Sequence, residues 1–145
     1  MAPSTVGEVD PVEAWEILKN SPDAILVDVR SMAEWSFVGI PNLDPIGKQV
    51  ILEEWRRFPG MELNEGFVDR LLAQFDSPPS TMLFLCRSGV RSMEAAQAVA
   101  ERLRDVDGMV HCLNVAEGFE GKLDEESHRG RVNGWKVRGL SWKQS

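Results

Sequence analysis

Tyrosine is absent from the 145 residues, and cysteine and histidine occur only twice each. Two cysteines, Cys86 and Cys112, are too few for a disulfide framework, and with no secretory context they are expected to stay reduced. The adjacent His111 and Cys112, with no second ligand pair, do not make a metal site, so neither metal nor cofactor is expected. No stretch approaches the eighteen or so apolar residues of a membrane span. Nor does the first segment, MAPSTVGEVDPVEAW, have the basic and then apolar regions of a leader, which predicts a soluble, cytoplasmic protein. Positive charge is also short, 16 Lys and Arg against 23 Asp and Glu, for a net charge of −7. An acidic surface repels phosphate backbones and anionic lipid, so no nucleic-acid or membrane partner is expected. What remains is an ordinary apolar fraction of 43%, enough for one globular domain over 1–145. Its core is expected over about 6–121, with a basic extension, 122–145, packed on it through Trp135, Leu140 and Trp142.

Asp10 before Pro11 reads as a helix cap followed by proline at the first helical position, with Val12, Trp15, Ile17 and Leu18 on the apolar face. Ala24 to Val29 is a nearly continuous apolar run, suited to a strand buried on both faces. Ser31 caps a short helix that Gly39-Ile40-Pro41-Asn42 breaks. Val50 to Phe58 reads as helical, stopped by Pro59-Gly60, and a further helix runs from Asn64 to Phe75. Thr81 to Leu85 and Met109 to Val115 are two more buried strands, with a helix over Ser92 to Arg104 between them. Strands alternating with helices predict an α/β fold with a mostly parallel sheet, in which ligands bind beyond the carboxyl ends of the strands.

Cys86 stands at such an end. In TMLFLCRSGVRS the cysteine leaves a buried strand, enters a short loop and faces the opening turn of a helix. Free N–H groups there converge as an anion cradle, Gly89 lets the chain curve, and Arg87 and Arg91 add fixed positive charge. Bringing a thiol from a pKa of about 8.5 to about 6.5 takes roughly 2.7 kcal/mol. A helix terminus supplies about 0.3–2 kcal/mol, and one guanidinium at about 6 Å adds roughly 2–3 kcal/mol, provided that it points inward. Cys112, inside an apolar strand without loop, glycine or arginine, reads as inert core, and His111 as a partly exposed residue without a partner. Asp28 and Arg30 read as structural, with Arg30 and Glu34 at helical spacing for an ion pair.

These residues resemble a single-domain rhodanese, a sulfurtransferase of the thiosulfate type. The resemblance rests on Leu26-Val27-Asp28-Val29-Arg30 with Glu34-Trp35, on Gly39-Ile40-Pro41-Asn42, on the loop Cys86 to Ser92 and on Asn114 to Gly121. The tail pairs Gly134-Trp135 and Gly139-Leu140-Ser141-Trp142 add to it. One departure is that members usually carry a histidine, regarded as structural, in Gly-His-Ile-Pro-Gly, whereas this chain reads Val38-Gly39-Ile40-Pro41-Asn42, with Gly39 in its place. The resemblance implies a central, mainly parallel five-stranded sheet with helices on both faces, of which three strands are legible here. It implies Cys86 as nucleophile, carrying a persulfide, with the donor held by Arg87, Ser88, Gly89, Val90, Arg91 and Ser92. The implied partners are a small anionic sulfur donor and an acceptor that is cyanide, a thiol or a protein thiol. By the same resemblance Phe119 lines the pocket mouth, although an apolar residue capping the sheet end accounts for it equally well.

Two other readings share the fold. Phosphatases and arsenate reductases use a loop with five residues between cysteine and arginine, whereas four separate Cys86 from Arg91. A non-catalytic rhodanese-like module that binds a partner commonly lacks the cysteine, although a persulfide carrier would keep it.

Overall fold

The computed structural model describes residues 5–106 and 108–144. Five strands form one all-parallel sheet: β1 (Thr5–Val9), β2 (Ala24–Asp28), β4 (Ile51–Leu52), β7 (Thr81–Leu85) and β8 (His111–Val115), in the order β1-β8-β7-β2-β4. Short antiparallel ladders pair β3 (Ile40–Pro41) with β9 (Trp142–Lys143) and β5 (Arg56–Arg57) with β6 (Glu62–Leu63). The helices are α1 (Pro11–Asn20), α2 (Met32–Val38), α3 (Phe67–Leu72) and α4 (Val90–Arg102). A five-stranded parallel sheet with helices is the α/β architecture that the resemblance implied.

Both faces of the sheet are covered, which is why its central strands read as unbroken apolar runs. On one face Val27, Met82, Phe84, Cys86 and Cys112 pack against Ala95, Ala96 and Val99 of α4 and Phe67 and Leu71 of α3. On the other, Leu26, Leu83, Leu85 and Val115 meet Ala14 and Leu18 of α1, with Phe119 and Trp135. Helices α1 and α2 start as the sequence indicates. Asp10 and Ser31 each accept from the N–H three residues on, and Glu13 and Glu34 complete capping boxes.

Three expectations change. The segment Val50 to Phe58 is not helical: Ile51 and Leu52 pair with Val27 and Asp28, and the N–H groups of Glu53 and Trp55 donate to the carbonyls of Asp28 and Val29. An open sheet edge supplied those hydrogen bonds, and tertiary pairing outweighed a weak local preference. Pro59-Gly60 then lies in the turn between β5 and β6 instead of stopping a helix. The helix expected from Asn64 to Phe75 is confined to Phe67–Leu72, with Gly66 before it in the left-handed region. His111 is exposed, as expected, but has a partner: its Nδ1 lies 3.0 Å from Thr5 Oγ1.

In the extension, Trp135 is 0% exposed, its ring edge-on to Trp15, and its Nε1–H donates to the Ser141 carbonyl. Gly139 and Leu140 lead into β9, which covers the Ile40–Pro41 segment. Among the described residues no helix is long and apolar enough to cross a membrane.

Candidate functional site

The central strand β7 delivers Cys86 to the carboxyl edge of the sheet, and α4 begins four residues later. The turn between them is held from outside. The N–H of Phe119 donates to the Cys86 carbonyl, and those of Glu120 and Gly121 donate to the Arg87 carbonyl. This approach needs glycine. A Cβ on Gly118 would stand 2.5 Å from the Arg87 carbonyl carbon, and one on Gly89, whose φ is +109°, would run into the Ala116 carbonyl oxygen. The sequence motif around Gly118 is therefore the brace of the cysteine loop.

Cys86 is 1% exposed. Its Sγ accepts from the Gly89 N–H at 3.1 Å and lies 3.2 Å from Ser92 Oγ. Among the described residues no side chain caps α4, which leaves its first-turn N–H groups to the loop. Ser92 Oγ is also 2.5 Å from Asn114 Oδ1, and Asn114 Nδ2 donates to the Gly89 carbonyl and to Glu8 Oε2. Glu8 and Asn114 are direct register partners on β1 and β8, which places their side chains on one face of the sheet.

The two arginines separate. Arg91 turns to Glu34 of α2 in a two-pronged pair at 2.6 and 2.9 Å, so much of its charge is matched there. Burial pushes the Glu34 carboxyl up, but the Arg91 hydrogen bond and charge, with Ser31, outweigh it and bring it down to about 2. Burial opposes the charge on Arg91 as well, and the Glu34 bonds, followed by the charges of Cys86 and Asp28, hold its pKa above the usual value. Arg87 is exposed and has no carboxylate partner among the described residues. The positive cradle read from the sequence thus reduces to Arg87, the partly compensated Arg91 and the backbone dipoles. Ser88 is half-buried and Val90 exposed, and neither side chain bonds to Cys86.

A cleft of about 520 Å3 opens beside the loop, lined by Arg87, Arg91, Phe37, Val38, Phe58 and Met61 among others. Phe37 and Phe58 are 82% and 62% exposed at its rim. A separate groove of about 460 Å3, lined by Met32, Trp35, Leu52 and Lys143, includes no residue of the loop from Cys86 to Ser92.

Cys112 is core, and burial pushes its thiol up to about 12. Arg30 does not pair with Glu34. It is buried against Asp28 at 2.6 Å, donates to the Gly39 carbonyl at 2.7 Å and stacks over the Phe119 ring. That assembly ties the end of β2 to the Gly39 turn, and Phe119, fully buried, caps the sheet end rather than lining the mouth. No cluster of three or more metal-ligating side chains occurs among the described residues. Sequence reasoning missed Glu8 altogether, and it named Glu34 and Asn114 without placing either beside the cysteine loop. The signal for Asn114 was present, a polar amide inside the apolar run MVHCLNV next to the strand's end.

The model of the rhodanese-like domain matches residues 10–124. Uncharacterized protein RP600 of Rickettsia prowazekii is 34% identical over 139 residues, covering 95% of this chain and 98% of that one. The chloroplastic rhodanese-like domain-containing protein 4 of Arabidopsis thaliana is 23% identical over 140 residues, which are 97% of this chain and 26% of that protein. The crystal structure of Rv0390 from M. tuberculosis superposes with a TM-score of 0.83 at 42% identity, over 98% of this chain and all of that one. A strand-borne cysteine in a glycine-braced loop, on this five-stranded parallel sheet, is accordingly the framework of a known group: the chain belongs to the rhodanese-like domain family.

Proposed function

We propose that the protein is a sulfurtransferase that takes a sulfane sulfur from a small thiosulfate-like anion and passes it to a thiol, or to cyanide in the assay, through a persulfide on Cys86. The observation that carries this reading is Cys86 at the centre of the sheet edge, with the Gly89 N–H directed at its sulfur and the uncapped turn of α4 behind it.

The donor enters from the cleft beside Arg87, whose unmatched charge draws an anion. Once the thiol proton has gone to solvent, the Cys86 thiolate attacks the outer sulfur of thiosulfate. A new sulfur–sulfur bond forms, the old one breaks, and sulfite leaves with the electron pair. The negative charge on the outer persulfide sulfur faces the N–H groups of the loop from Arg87 to Ser92. An acceptor thiolate then attacks that outer sulfur and leaves as its own persulfide, restoring the Cys86 thiolate. Neither step adds water or needs a strong base, in keeping with a loop flanked by no histidine. The turn of Arg91 toward Glu34 supports sulfur transfer over a phosphatase cradle, which needs that arginine on the bound anion. Two reduced, unbridged cysteines suit a cytoplasmic setting.

The test is a thiosulfate and cyanide assay on wild type and Cys86→Ser, with intact mass after thiosulfate alone. Thiocyanate production and one added sulfur are expected in wild type and neither in Cys86→Ser. No sulfur and no thiocyanate in wild type favours a binding module, and equal activity in Cys86→Ser removes the nucleophile.

A further inference from the structure

Ser92 has one hydroxyl proton and two claimants for it. Asn114 Oδ1 is 2.5 Å from its oxygen and Cys86 Sγ is 3.2 Å away. The orientation of the Asn114 amide is fixed by its other end. Nδ2 faces the Gly89 carbonyl at 3.1 Å and Glu8 Oε2 at 3.0 Å, and neither a carbonyl nor a carboxylate can donate to an amide oxygen. The nitrogen must therefore lie on that side and the oxygen toward Ser92. Asn114 is 1% exposed, so no bulk water replaces a lost donor at Oδ1.

We infer that Asn114, oriented by Glu8, is a positioning residue that commits the Ser92 hydroxyl proton away from Cys86 and so favours the thiol over the thiolate in the resting protein. The inference rests on the reading of Cys86 as the nucleophile. With the cysteine as thiol, the chain of bonds is complete: S–H donates to Ser92 Oγ, Ser92 donates to Asn114, and Asn114 donates to Gly89 and Glu8. When the thiol proton leaves to solvent, the sulfur keeps the Gly89 N–H. It gains the Ser92 proton only if that hydroxyl rotates away from Asn114, leaving a buried carbonyl oxygen without a donor. Such an orphaned acceptor costs about 1–3 kcal/mol, comparable with the gain of one charge-assisted bond to sulfur. The hydroxyl is thus withheld until something else, such as a bound donor or the persulfide, tips the balance.

The other charges around the cysteine are fixed by separate partners. Arg91 is held by Glu34 from α2, Asp28 by Arg30 at the end of β2, Glu94 of α4 by Trp55, and Glu117 after β8 by Arg138. Arg87 is exposed on the loop. None of these contacts involves Ser92 or Asn114, so a double-mutant cycle between those two isolates the shared proton.

The experiment reads the pH midpoint of Cys86 alkylation by iodoacetamide, with peptide mass to exclude Cys112. Wild type, Asn114→Leu, Ser92→Ala and the double variant are compared, with no sulfur donor present. Asn114→Leu frees the hydroxyl for the thiolate and is expected to lower the midpoint by about one unit, roughly tenfold more thiolate below it. In the Ser92→Ala background the same change is expected to do nothing, which a merely loosened loop would not reproduce. An unchanged or raised midpoint in Asn114→Leu overturns the inference, as does an equal drop with and without Ser92. Should Asn114→Leu fail to fold, Glu8→Ala on the exposed edge strand decides. A smaller drop, abolished by Ser92→Ala, supports the inference, and anything else overturns it. Because alkylation needs no sulfur transfer, failure of the proposed activity and failure of this inference are read separately.

Discussion

At the residue scale, the charged and polar groups near Cys86, exposed Arg87 apart, are defined by their partners rather than by their type. Arg91 and Glu34 show this most plainly. Glu34 titrates at about 2 in the fold against an ordinary value of 4.5. A depressed carboxylate contributes stability that is present in full above the unfolded value and is lost as the pH falls through the folded one. Glu34→Gln is expected to destabilise the protein by about 2 kcal/mol at pH 7, most of the difference vanishing between pH 4.5 and 2. Urea unfolding at pH 7 and near pH 3 reads both parts, and an equal loss at the two would count against the ion pair. None of this pairing was legible beforehand. The helical spacing of Arg30 and Glu34 pointed to a local pair, but Arg30 folds back on Asp28 and Glu34 reaches 57 positions along the chain. Charge type is local information, and partner choice is not.

Elements were legible where their own side chains determined them. Helix α1 announced both its cap and its proline, and the apolar runs of β2, β7 and β8 needed no partner to be recognised, because strands buried on both faces have no polar alternation to conceal. Strands β1 and β4 were missed because both are sheet edges. Thr5–Val9 includes a glycine and a glutamate, and Ile51–Leu52 is only two residues long. Edge strands hydrogen-bond on one side only, so their composition is weakly constrained. The cysteine loop lies between these cases. Its strand–turn–helix form was visible, whereas its brace at Gly118, 32 positions beyond Cys86, required the fold. Gly118→Ala is expected to cost roughly 2 kcal/mol or more, since it meets the backbone of Arg87 and takes up a left-handed φ. It should slow the proposed sulfur transfer more than the loss of stability alone accounts for, as the strain falls on the loop itself. Activity measured at a temperature where the variant remains folded checks this, and wild-type rates there would deny the loop its brace.

For the whole molecule, a net charge of −7 is compatible with the proposed site for a small anion because the two operate over different distances. Backbone N–H groups act within a few ångströms, while the surface charge is screened over roughly 8–10 Å in physiological salt. The apolar face beneath α1 is completed by the chain's last quarter through Trp135. Trp135→Ala is expected to lower stability by about 3–5 kcal/mol, measured by urea unfolding at 25 °C. A loss below about 1 kcal/mol would mean that the extension contributes little to the core.

The sequence by itself determined the alternation of buried strands and helices, the strand-to-helix loop carrying Cys86, and the assignment of Cys112 to the core. These follow from short-range periodicity, capping and glycine placement, which act through neighbours in the chain. Only the tertiary structure decided that Arg91 is matched by Glu34, that Glu53 and Trp55 hydrogen-bond along the edge of β2, and that Ser92 is shared between Cys86 and Asn114. Each of those depends on which groups meet across the sheet, where hydrogen bonds join residues tens of positions apart and burial sets what an unpaired group costs.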